Sequence, residues 1–168
     1  MRCNVSYFFH MKFLWIAILT VLLGQSVLGW SQVQPSIAAS VMSISLSSDA
    51  IRTTIRQVAS AWEAGDAEAI ASPFADDAEF IVPGSCWRGR EEIRQEAAKF
   101  AQTHTEVKIT IKLIVVEGNL AFAEWDWQDV EKQSGKRTLA EDAIAVEFRD
   151  GKIIRWREYI DTDTPTPA

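Results

Sequence analysis

The sequence predicts an α+β domain: three N-terminal helices packed on one face of a curved, mostly antiparallel sheet. Three observations carry that expectation. Apolar residues recur at helical spacing over Ile51, Ile55, Val58, Ala59 and Trp62. Past His104 the apolar period drops from 3.6 to 2 and holds through the strand-like segments that follow. Glycine-containing turns, "EGN", "KQSGK" and "DGK", separate those segments. Helices grouped first and strands grouped after imply segregated layers, not alternating βαβ units.

Each element follows from local chemistry. Asp49 is placed to cap the first helix and Gly65 to end it. Asp66 caps a second, shorter helix, "AEAIASPFA", whose last turn Pro73 disturbs because proline lacks a backbone N–H. "DDAEFIVPG" reads as a turn and a short strand stopped by Pro83 and Gly84. "SCWRG" leads into a third helix from about Arg90, with Ile93, Ala97 and Phe100 on one face. The first long strand, "EVKITIKLIVV", sets Val107, Ile109, Ile111, Leu113 and Val115 on one face against Lys108, Thr110 and Lys112 on the other. "LAFAEWDWQDV", "RTLAEDAIAVEF" and "DGKIIRWREYID" supply the remaining strands.

The N-terminus has a different character. No Asp or Glu occurs from Met1 to Ser48, and Lys12 precedes the apolar run "FLWIAILTVLL". A basic residue, a short apolar core and then small residues such as Val27 and Gly29 describe a secretory signal peptide. Met11 could itself be the start. The core is shorter than the roughly 20 residues of a membrane span, which favours export with cleavage over an anchor. The expected organisation is a signal peptide over residues 1–29, a leader over 30–48, a domain over 49–161 and a Pro/Thr-rich tail over 162–168. The exported product would be periplasmic or secreted. Without Arg2 and Lys12 the chain keeps 15 basic and 23 acidic residues, which argues against nucleic acid or an anionic membrane as partner. Cys3 falls in the signal segment, so Cys86 is expected to be a lone, small apolar residue.

Two acids fall on apolar strand faces. Asp142 shares a face with Ala140, Ile144, Val146 and Phe148, and Glu158 shares one with Ile154, Trp156 and Ile160. A three-residue turn, Asp150-Gly151-Lys152, would pair Phe148 with Ile154, Val146 with Trp156 and Ile144 with Glu158. Asp142 then lies one diagonal step from Glu158, roughly 7–8 Å at Cα. The turn at "KQSG" brings Trp125 or Trp127 opposite Asp142, although Leu120 and Phe122 sit on the other parity and leave room for a bulge. Two carboxyls in an aromatic hollow should raise at least one pKa, by desolvation and like-charge repulsion, which suits acid–base work. The competing expectations are an arginine partner, Arg88 or Arg90, or a Glu158 bathed at the pocket mouth. Trp62, Trp87, Trp125, Trp127 and Trp156 read either as core or as ligand-contacting walls. His104 is expected at a helix C-terminus, Glu124 and Asp126 outward. A phosphate-binding glycine loop, a metal-ligand cluster and a Ser-His-Asp set are all missing from the sequence, so no cofactor and no metal is expected.

Residues 50–93, from "AIRTTIRQVASAWEAGD" through "FADDAEFIVPG" to "GREEI", resemble the opening of SnoaL-like domains in the nuclear transport factor 2-like superfamily, and "DGKIIRWREYID" resembles their closing strand. The resemblance covers about residues 49–161 and implies a cone-shaped fold with an internal pocket. The superfamily holds isomerases, cyclases, epoxide hydrolases, dehydratases and non-catalytic domains, so it implies no single activity. Where ketosteroid isomerases carry a Tyr and two Asp, this chain has Val58, Val82 and Ile144, which cannot move a proton. Val82 and Ile144 are thereby implied as pocket-lining. Where limonene-epoxide hydrolases carry an Arg and an Asp, Trp125 and Trp127 stand; their closing Asp becomes Glu158.

The leading expectation is a small apolar or cationic ligand, with Asp142 and Glu158 as polar contacts among Trp62, Trp87, Trp125, Trp127, Val82 and Ile144. The alternatives are a lyase, isomerase or hydrolase using Glu158 or Asp142 as general acid or base, and a non-catalytic interaction module. The interaction module would dimerise through the outer sheet face, and a homodimer is the expected assembly.

Overall fold

A computed structural model describes residues 46–163. The expected signal peptide, the leader through residue 45 and the tail from residue 164 lie outside the described residues. The apolar stripe of the first helix is satisfied by α1 (Ser48–Ala64), which buries Ile51, Ile55, Val58 and Trp62. Ser47, not Asp49, is its cap: the hydroxyl accepts from the Ala50 N–H at 3.2 Å, and Asp49 occupies the first turn, where a negative charge suits the helix dipole. Gly65 ends α1 with φ 66°. Asp66 caps α2 (Ala67–Ala71), which stops before Pro73 instead of running through it. The Pro73 carbonyl accepts from the Ile153 N–H at 3.0 Å, tying that corner to the last strand.

The chain then forms β1 (Phe74–Val82), β2 (Ser85–Arg88) and α3 (Gly89–Thr103). The strand β2 is new relative to the sequence expectation. Pro83-Gly84 is a hairpin turn between Val82 and Ser85, not a stop. Gly89 opens α3 at φ 78°, and a Cβ there would stand 2.8 Å from the Asp76 carbonyl oxygen, so only glycine fits. Cys86 on β2 is half-buried and disulfide-bonded, which corrects the expectation of a lone thiol.

Four long antiparallel strands follow: β3 (His104–Glu117), β4 (Leu120–Glu131), β5 (Arg137–Arg149) and β6 (Lys152–Asp161). The sheet has six strands in the order β2-β1-β6-β5-β4-β3, with β1 parallel to β6. Two bulges reset the expected faces. In β3 the register shifts between Ile111 and Leu113, so Leu113 and Val115 are exposed and Ile114 and Val116 turn to the core. At the last hairpin the turn is two residues, Asp150 and Gly151, at φ 50° and 79°. Phe148 therefore pairs with Ile153, and a bulge before Arg155 supplies the residue that the three-residue turn was expected to add. From there the expected register holds: Val146 faces Trp156 and Ile144 faces Glu158. β4 needs no bulge, since Ala121, Ala123, Trp125 and Asp129 all point inward and Leu120 and Phe122 outward.

The core lies between the helices and the inner sheet face, with Phe74, Phe80, Trp125 and Trp156 at its centre. Burying side chains of this size contributes up to about 3 kcal/mol each.

Candidate functional site

The core is not filled at one end. A cavity of about 290 Å³ opens between the inner face of β4–β6 and the helical layer. Strand alternation builds its floor: Trp127 and Asp129 from β4, Thr138, Ala140 and Asp142 from β5, Glu158 and Ile160 from β6. Trp62 of α1, Phe100 of α3, Phe80 and Val82 of β1 and Trp87 of β2 close it from above. The rings are packed against one another: Trp62 meets Trp127 edge-on at 5.9 Å, and Trp87 stacks on Phe80 at 4.8 Å.

Three carboxylates line this apolar space, and each takes one indole N–H. Trp125 Nε1 donates to Asp142 Oδ2 at 3.0 Å across the strand pair. Trp156 Nε1 donates to Glu158 Oε1 at 2.7 Å, and Trp127 Nε1 donates to Asp129 Oδ2 at 2.7 Å. Asp142 and Asp129 are 3% and 4% exposed, and the second oxygen of each is buried without a donor among the described residues. Glu158 keeps some solvent contact. Its second oxygen makes no hydrogen bond among the described residues and is not sealed off. No basic side chain lines the cavity among the described residues. Arg88 pairs with Glu79 at 3.5 Å and Arg90 with Asp76 at 2.5 Å, so neither neutralises the acids.

This environment disfavours the charged forms of Glu158 and Asp142. Burial pushes the Glu158 carboxyl up to about 8, opposed by the Trp156 N–H and reinforced by the charge of Asp142. Burial also raises Asp142 to about 6; the Trp125 N–H opposes the shift and the Asp126 charge adds to it. Without a cation beside it, Glu158 is a proton donor near neutrality and Asp142 largely a carboxylate; an adjacent positive charge would favour the charged form of Glu158. A carboxyl of each kind, side by side, can bind a cation, or give a proton and take one.

The sequence-derived site residues divide into two shells. Glu158, Asp142, Trp62, Trp87, Trp127 and Val82 reach the cavity. Trp125 and Ile144 do not: both are fully buried behind it, and Trp125 acts on the cavity through its N–H to Asp142. Trp156 likewise orients Glu158 from behind. Sequence reasoning missed Asp129. Its signal was present, because Asp129 lies two residues beyond Trp127 and therefore on the same strand face. Phe80 and Phe100 were also missed as walls, since their contacts come from separate elements. His104 caps α3 and stacks on Phe100 at 4.1 Å, away from the acids. Glu124 and Asp126 face outward, where Lys112 Nζ lies 2.7 Å from Asp126 Oδ1.

The geometry has relatives. A protein of ketosteroid isomerase-like fold from Catenulispora acidiphila DSM 44928, in complex with trimethylamine, superposes with a TM-score of 0.59 at 21% identity over 63% of this chain and 83% of its own. An epoxide hydrolase of limonene-epoxide-hydrolase type from M. tuberculosis gives a TM-score of 0.59 at 21% identity, over 67% and 83% of the two chains. An NTF-2 like protein of unknown function from Burkholderia xenovorans LB400 gives 0.57 at 24% identity, over 71% and 88%. At these identities the likeness is one of fold. No curated protein matches the chain in sequence. The family of SnoaL-like domains matches residues 55–156, more than half of the sequence. The chain belongs to the SnoaL-like domain family, with the α+β cone that its elements build.

Proposed function

We propose that this protein binds a small molecule carrying a positive charge on an apolar body in the cavity over β4–β6. One observation carries the reading: three carboxylates and five aromatic rings line the space, and no basic side chain among the described residues answers the acids. Aromatic faces attract cations, and an incoming ammonium would hydrogen-bond and neutralise carboxylates that burial otherwise disfavours. The Catenulispora protein of the same fold holds trimethylamine, a small amine, which supports the same ligand chemistry. The cavity suits a ligand of a few carbons.

Tryptophan fluorescence of the full chain tests this reading, since the indoles are themselves walls and hydrogen-bond donors to the acids. Small alkylamines should alter the emission saturably, and Glu158→Gln should weaken the apparent affinity at least tenfold. Equal response of wild type and Glu158→Gln would end the reading.

Acid–base catalysis is favoured by a separate observation, the split between Glu158 at about 8 and Asp142 at about 6. Two carboxyls pushed apart across neutral pH suit a general acid and a general base. An isomerase or lyase working this way would lose activity in both Asp142→Asn and Glu158→Gln.

The outer sheet face supports a further proposal, that a second copy covers it. Leu113, Val115, Leu120 and Phe122 lie adjacent there, at 42–51% exposure, where scattered single apolar residues would be ordinary. The expected export belongs to the N-terminal sequence and is kept as a proposal on that ground.

A further inference from the structure

The acids of the cavity are not one cluster. Asp142 and Glu158 stand together: Asp142 pairs with Ile160, the neighbour of Glu158 on the same face of β6. Asp129 stands apart. It pairs with Thr138, four positions along β5 from Asp142, which at about 3.3 Å per residue is roughly 13 Å between strand positions. Trp127 and Ala140, paired with each other, form the floor between the two poles, and Ala140 has no bulk to divide the space. The cavity is therefore a trough with an acid at each end and indole along its side.

Each end also lacks a donor. Asp129 Oδ1 and Asp142 Oδ1 are buried without hydrogen-bond partners among the described residues. Buried acceptors are normally satisfied. Here the fold supplies one indole N–H to each carboxylate and nothing to the second oxygen. A dispersed arrangement is wrong for a metal ion, and no cluster of metal-ligating side chains occurs among the described residues. It is right for a ligand with hydrogen-bond donors at both ends.

Resting on the cation-binding reading above, we infer that the ligand is an aliphatic diamine, one ammonium held by Asp142 and Glu158 and the other by Asp129, with its methylene chain lying against Trp127 and Trp62. Allowing about 2.8 Å for each N–H···O contact leaves on the order of 7–8 Å between the nitrogens. That matches a spacer of about five methylenes. A quaternary ammonium would satisfy the charge but leave both orphan oxygens without donors. A monoamine would engage one pole only.

Calorimetric titration of the full chain at neutral pH with cadaverine, putrescine, n-pentylamine and n-butylamine tests this. Cadaverine should bind at least tenfold tighter than n-pentylamine, and putrescine should fall between. Asp129→Asn should bring cadaverine down to the level of n-pentylamine; Asn keeps an acceptor for the Trp127 N–H, so the wall is preserved. The wild-type ratio needs no variant to fold. Equal affinity of cadaverine and n-pentylamine, or an unchanged preference in Asp129→Asn, overturns the inference. If the monoamines still bind and depend on Glu158, the cation-binding reading survives that result. If no amine binds, both fail.

Discussion

Asp126 and Asp142 lie on neighbouring strands and opposite faces of one sheet. On the outer face, the Asp126 carboxylate has Lys112 Nζ at 2.7 Å, and the same lysine reaches Glu141 at 3.4 Å. On the inner face, Asp142 has one indole N–H and a second oxygen without a donor among the described residues. The outer acid belongs to a half-buried charge network: its Oδ1 is enclosed too, but a lysine ammonium stands against it. The inner one is pushed up to about 6 because burial is not answered by a cation. The difference shows that a carboxylate's behaviour is set by which donors its strand face supplies. An inner face that provides only indoles leaves its acids in need of a ligand.

The largest expected effect is on pH-dependent stability. Glu158 and Asp142 have folded pKa values raised to about 8 and about 6, so the folded state binds more protons than the unfolded one. Their favourable contribution is fully present below the unfolded values and is lost as pH rises through about 8. The loss should be on the order of a few kcal/mol, seen by chemical denaturation across that range. Glu158→Gln should flatten the upper part of the curve. A curve parallel to wild type would mean that Glu158 is not held neutral.

Next in size is Trp125→Phe. It removes the only donor to Asp142 seen among the described residues and leaves a second buried oxygen unpaired. A destabilisation of about 2 kcal/mol is expected, with Asp142 titrating higher by carboxyl NMR. A neutral outcome would show that the N–H is replaceable by water.

Lys112→Met probes the outer face directly. Exposed and half-exposed pairs are worth little, so the cost should stay below about 1 kcal/mol, and amine binding should not change. A strong effect on binding would show that the two faces are electrostatically coupled. Smallest for the folded chain is Phe122→Ser, expected within about 0.5 kcal/mol of wild type in the monomer. Its readout is mass against concentration by light scattering. An unchanged association state would remove Phe122 from any dimer contact.

Much of the fold was legible because periodicity and turn chemistry act locally. The α1 stripe, the Gly65 and Asp66 signals, and the alternation of β5 needed no tertiary information. The misses are also local in cause. Pro83-Gly84 ends a strand or turns a hairpin with equal ease, so β2 was not seen. The bulges at Lys112 and before Arg155 reverse side-chain parity without a compositional mark. Asp142, Glu158, Trp62, Trp87, Trp127 and Val82 line one cavity, whereas Trp125 and Ile144 stand behind the lining.

By itself the sequence determined the order of the helices and the long strands, the family, and the presence of acids on apolar strand faces, since each is written in residue spacing. Only the tertiary structure decided that Asp129 joins Asp142 and Glu158 around one hollow, that indoles rather than arginines serve them, and that two of their oxygens have no donor among the described residues. Those facts depend on strands and helices distant in the chain meeting at a common space, and spacing along a chain carries no record of what approaches from the other side.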